Sequence, residues 1–172
     1  MARDRRAYGF ERAEPDVDEA AHVSREATLV GEVRVAAEAS VWPGVVLRGD
    51  VGPVFVGEQA HVGDNASVHA SELGDRAMVG HGAVANDATV GEGTLVGFNA
   101  TVDEATVGRN CVVASGSVVE PGMEIDDEQF VYGVPAETRP LAETTVDTER
   151  VFEQYHSGRY ADLAARHEDL FD

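Results

Sequence analysis

The chain contains no lysine: its 13 basic side chains are all arginines, set against 32 acidic ones for a formal net charge of -19. A basic face able to neutralise a phosphate backbone is not available from that inventory, so nucleic acid is excluded as a partner. A single cysteine, Cys111, excludes an internal disulfide framework and a cysteine-cluster zinc site. Nowhere do about 18 apolar residues follow one another, which argues against a membrane-spanning helix. Arg3, Arg5 and Arg6 imitate the start of a twin-arginine export signal, but Tyr8, Gly9, Phe10, Glu11 and Arg12 stand where an apolar run is required. The expectation is no export and a reducing, cytoplasmic setting. The acidic residues are dispersed along the chain, not gathered into a tail, the composition of a protein kept soluble in concentrated salt; this predicts a halophile's cytosol.

What is abundant is a short repeat. With 43% hydrophobic residues over 172 positions the chain has material for one core. Its apolar residues recur in one unit: an aliphatic residue, usually glycine, two polar residues, a small residue, and one more. Val56-Gly57-Glu58-Gln59-Ala60-His61, Val62-Gly63-Asp64-Asn65-Ala66-Ser67 and Val79-Gly80-His81-Gly82-Ala83-Val84 set the phase, which continues through Val90, Val96, Val107 and Val113. A period near six fits short strands joined by tight corners around a triangular prism, and predicts an all-β fold, a parallel β-helix. The aliphatic residue fills the interior, glycine and asparagine supply corners of positive φ, and the small fifth residue lets each corner close. Cys111 occupies a fifth slot and is expected to be a packed core thiol, not a nucleophile.

Gly133-Val134-Pro135-Ala136 breaks the repeat. The predicted organisation is an N-terminal arm and β-helix over 1–140, then a helical segment over 141–172 packed on the prism. Asp147 is its expected N-cap, with an apolar face through Val151, Phe152 and Tyr155. Ser157-Gly158 is expected to interrupt it before a second helix carrying Tyr160, Leu163, Ala164 and Leu170. The first 25 or so residues are less periodic and read as a strand or arm.

The repeat also places the histidines. One coil is three hexads, so His69 after Val68 and Asn86 after Ala85, one slightly shortened coil apart, should stack on one face. His81 belongs to the preceding face and reaches a His69 only across a contact between chains packed around a threefold axis. Arg48 and Asp50 project to the same side of a strand and can pair. His61 reads as exposed and without a role. His22 in the arm, His156 near a helix end and His167 in the last helix are assigned none.

Ser40-Val41-Trp42, Val46-Leu47-Arg48-Gly49-Asp50, Val79-Gly80-His81-Gly82-Ala83-Val84, Gly133-Val134-Pro135-Ala136 and the tyrosine-bearing last helix around Tyr160 resemble, in order, segments of the γ-class carbonic anhydrases. The resemblance implies a left-handed β-helix, a homotrimer, and a metal between subunits: zinc, with iron or cobalt as alternatives. It implies His69 and the partner subunit's His81 as ligands. Arg48, Asp50 and Asp64 would order the pocket and take part in catalysis. The third ligand of that family stands at position 86, where this chain has Asn86, a poorer donor for zinc than imidazole. His61-Val62-Gly63-Asp64-Asn65 departs from the family in the same region.

Two readings stay open. One is zinc-dependent reversible hydration of carbon dioxide, with Asn86 or His61 helping to complete the site. The other is a non-catalytic assembly or binding subunit that binds no metal, which a lost ligand favours over a retained scaffold. Acyl transfer with His81 or His69 as general base ranks third.

Overall fold

The computed structural model describes residues 6–156 and 159–171. Arg3, Arg5 and the Ser157-Gly158 interruption lie outside the described residues, as do the side chains of Tyr155 and His156.

The chain is a parallel β-helix with three faces. Seven parallel rungs stack on one face, from His22–Val23 through Ser40–Val41, His61–Val62, Met78–Val79, Leu95–Val96 and Val112–Val113 to Gln129–Tyr132. The long strand Val46–Val56 bends across a corner and serves the other two. Its first part pairs with Ser67–His69, after which Val84–Asn86, Thr101–Asp103 and Val118–Val119 follow; its end pairs with Glu72–Leu73, followed by Thr89–Val90, Thr106–Val107 and Glu124–Ile125. The central coils repeat every 17 residues, as in the pairing of His69 with Asn86 and of Asn86 with Asp103.

Stacked coils put like residues above like, and this builds the core as three interior columns. Val23, Val41, Val62, Val79, Val96, Val113 and Val131 form one; Leu47, Val68, Ala85, Val102 and Val119 the second; Val56, Leu73, Val90, Val107 and Ile125 the third, all buried. Each fully buried valine or leucine contributes about 1.5–3 kcal/mol relative to exposure. The fifth-slot residues Ala60, Ala66, Ala77, Ala83, Ala100 and Cys111 are fully enclosed. The Cys111 thiol lies 3.1 Å from the Asp126 carbonyl oxygen, and burial pushes its pKa up, away from thiolate chemistry.

Glycine has two roles here where the sequence pattern suggested one. Positive φ belongs to the fourth hexad position, for example Asn65 (59°), Gly82 (69°) and Asn99 (54°). The glycine that follows the aliphatic residue is required for close approach instead: a Cβ on Gly91 would lie 2.5 Å from the Gly108 backbone of the next coil. Gly91→Ala is therefore expected to cost about 1–3 kcal/mol through overpacking, read as a lower midpoint in chemical unfolding with unchanged slope.

The N-terminal residues are more ordered than their irregular pattern suggests. Arg6–Tyr8 and Asp16–Val17 both pair with Thr28–Val35, and His22 lies in a rung of the prism, not in a loose arm. At the other end, helix α1 (Thr148–His156) is capped by Asp147, whose Oδ1 accepts from the Arg150 amide at 3.0 Å. Helices α2 (Arg159–Ala165) and α3 (Glu168–Phe171) follow, and His167 sits between them instead of inside one last helix. Ala164 and Phe171 pack on Trp42, with Tyr160, Leu163 and Leu170 around them. The Arg25 amide donates to the Leu170 carbonyl at 3.0 Å and ties α3 to the prism. Among the described residues no helix is long and apolar enough to cross a membrane.

Candidate functional site

Residues that alternate outward on one face build a polar ladder. Arg48, His69, Asn86 and Asp103 occupy successive rungs at one register position, because the coil repeat brings each above the last. Asp50 lies two residues beyond Arg48 on the same side of its strand.

The ladder is joined from end to end. The Arg48 guanidinium donates to Asp50 Oδ2 at 2.7 Å, and this hydrogen bond holds the Asp50 carboxyl below the usual carboxylate range while raising Arg48. Asp50 Oδ1 faces His69 Nε2 at 3.4 Å. His69 Nδ1 lies 2.9 Å from Asn86 Oδ1, and Asn86 Nδ2 donates to Asp103 Oδ1 at 2.7 Å. The carboxylate of Asp103 accepts only, so the amide nitrogen of Asn86 must face it and the amide oxygen must face His69. His69 Nδ1 therefore donates to the Asn86 oxygen, and Nε2 is the ring nitrogen left toward Asp50. That Nε2 and Asp50 Oδ1 are shielded from water and, among the described residues, have no hydrogen-bond partner. The two atoms face each other at 3.4 Å.

His81 stands apart from the ladder, at the corner before the strand Val84–Asn86, with Gly82 making the turn. Its Nδ1 lies 2.8 Å from Asp64 Oδ2 and 3.0 Å from the Asp64 amide, and its ring stacks on Phe98 at 5.1 Å. The side chain is half exposed and so available to a neighbour. Phe98 (51% exposed) and Val84 (37%) leave apolar surface beside it. No three His, Cys, Asp or Glu side chains among the described residues of one chain come together as a metal site.

His61 was expected to be exposed and is instead buried at 5% exposure beneath the C-terminal helices. Its Nδ1 is 3.0 Å from Ser40 Oγ, its ring packs 4.2 Å from that of Tyr160, and Trp42 lies beside it. Burial lowers its pKa to about 3, with the charge of His81 adding to the effect. Within one chain it lies on a different face from the ladder, with Nδ1 engaged by Ser40. The role of Asp103 was missed by sequence reasoning, although its position one coil above Asn86 was a signal that could have found it.

The repeats of residues 88–121 match the family described as hexapeptide repeat of succinyl-transferase. A segment of 58 residues is 43% identical to gamma carbonic anhydrase 3, mitochondrial, of Arabidopsis thaliana, covering 34% of this chain and 22% of that protein. A segment of 64 residues is 31% identical to the carbonic anhydrase of Geobacillus kaustophilus, covering 37% of this chain and 35% of that protein. The chain thus carries hexapeptide repeats, and about a third of it is similar to γ-class carbonic anhydrases. Among solved structures, this hexapeptide-repeat chain superposes on a hexapeptide transferase family protein from Anaplasma phagocytophilum with a TM-score of 0.84 and 27% identity, over 94% of this chain and 97% of the other. The matched segments thus span about a fifth to a third of the curated relatives' length, whereas the likeness of fold runs nearly end to end.

The family suggests a metal, and the unpartnered Nε2 of His69 fits one: its other nitrogen is fixed by Asn86, the usual arrangement of a metal-binding histidine. Asn86 is engaged on both sides, its oxygen 2.9 Å from His69 Nδ1 and its nitrogen donating to Asp103 Oδ1.

Proposed function

We propose that this protein assembles as a homotrimer and catalyses the reversible hydration of carbon dioxide at a metal held between subunits, in the cytosol of a cell rich in salt. The observation that carries the reading is His69 Nε2, shielded from water and facing Asp50 Oδ1 at 3.4 Å, on the face that also carries exposed Val84. In this reading His69 of one subunit and His81 of the partner subunit hold the metal. A bound zinc lowers the pKa of a water and so provides a nucleophile at neutral pH. Asn86 fixes the tautomer of His69, and Asp64 orients His81 from its Nδ1 side. Arg48 and Asp50 keep a rigid charged wall that orients the substrate and the product bicarbonate.

Stopped-flow measurement of carbon dioxide hydration, with zinc-loaded protein in molar salt and light scattering alongside, tests it. A trimer that accelerates hydration, and loses the acceleration on His81→Ala, is the expected result. A metal-loaded trimer no faster than buffer would leave the assembly or binding subunit as the function.

Acyl transfer is the second reading, drawn from the solved relative described as a hexapeptide transferase family protein. Acetyl-CoA is expected to leave the melting temperature unchanged; a rise that saturates with acetyl-CoA would favour transfer instead.

A further inference from the structure

We infer that Asp50, and not Asn86, is the second metal ligand that this chain supplies: Asp50 Oδ1 and His69 Nε2 form a two-donor edge, 3.4 Å long, for a divalent cation. The inference deepens the proposed function and rests on its premise that subunits meet at this face.

Two atoms able to bind a cation face one another across that edge. The chain of hydrogen bonds from Asp103 through Asn86 engages His69 through Nδ1, so Nε2 is left facing the Asp50 oxygen that Arg48 does not hold. A positive centre between these two atoms, a metal ion or a shared proton, suits their 3.4 Å separation. The spacing suits a tetrahedral cation, since two ligands at about 2.1 Å and the tetrahedral angle are separated by about 3.4 Å. Both donors are also braced from behind, Asp50 by the Arg48 guanidinium on Oδ2 and His69 by the Asn86 amide on Nδ1. Such bracing is what fixes ligand orientation in metal sites. With the partner subunit's His81 the set becomes two imidazoles and one carboxylate, a combination used by catalytic zinc. Asn86 is thus a positioning residue, and the missing imidazole at 86 is made good by a carboxylate from another rung.

The test is zinc and cobalt(II) titration of the metal-stripped trimer in molar salt, with cobalt visible absorption as the spectroscopic readout. One cation per subunit is expected. Asp50→Asn keeps an oxygen for Arg48 but turns an amide N–H toward Nε2, and should weaken zinc binding by roughly 100-fold or more while the trimer persists. Asn86→Leu should weaken binding by about 10–100-fold, yet leave the cobalt spectrum unchanged because no ligand is lost. Should Asp50→Asn fail to assemble, the Asn86→Leu spectrum decides alone, a shifted coordination spectrum overturning the inference. Undiminished zinc binding by Asp50→Asn overturns it, as does a parent protein that takes up no cation, which would mean that a shared proton joins the pair. Zinc held through Asp50 without hydration of carbon dioxide would sink the hydratase reading and leave this inference standing. Hydration with zinc binding indifferent to Asp50 would do the reverse.

Discussion

Mixing His69→Ala subunits with His81→Ala subunits is expected to restore about a quarter of the sites that each variant alone has lost. Alone, each variant lacks one imidazole at every interface, and zinc binding and hydration should both fall by roughly 100-fold or more. In a cyclic trimer a site is intact only where a subunit with its own His69 meets, in one sense of rotation, a subunit with its own His81. Every mixed trimer contains one such junction in three, and random exchange at equal ratio makes about three quarters of the trimers mixed. Zinc content and stopped-flow rate after subunit exchange in dilute denaturant give the readout. No recovery in mixtures shown by mass spectrometry to be mixed would place His69 and His81 in separate surroundings and remove the shared pocket.

The second large effect concerns His61 and the helices above it. Its folded pKa of about 3 lies well below the 6.5 of an exposed histidine, so between those values the unfolded chain binds a proton that the folded chain refuses. Stability is full above the upper value and falls as pH is lowered through the window, by about 1.4 kcal/mol per pH unit. From pH 7.5 to 4.5 the loss sums to about 2–3 kcal/mol from this one group. Neutralising an acidic surface over the same range relieves self-repulsion and works against it. The comparison must therefore be with a variant. His61→Gln, which does not titrate, should lose that part of the acid dependence in urea unfolding, whatever its stability at pH 7.5. Identical pH slopes for parent and variant would show that the imidazole already ionises in the folded state.

The coil architecture was legible because a six-residue repeat leaves few alternatives: one aliphatic residue per hexad can only be buried together if strands stack in a prism. The same arithmetic placed His69 under Asn86 and paired Arg48 with Asp50, since registers in a β-helix follow from counting along the chain. Counting did not distinguish the two glycine roles, because clearance between coils depends on the backbone of the next rung, which no local pattern records. Nor did it find the shelter of His61, whose outward position is indistinguishable in the repeat from that of Ser67, an exposed residue. The difference lies in where α2 and α3 dock, about a hundred residues later in the sequence, over Trp42. Position by position, the sequence determined which residues share a face and which fill the interior, because periodicity converts directly into geometry. Only the tertiary structure decided which way the Asn86 amide points, and with it that His69 Nε2 and Asp50 Oδ1 are left facing each other, because that choice is made by Asp103 one coil away through a hydrogen bond and not through the repeat.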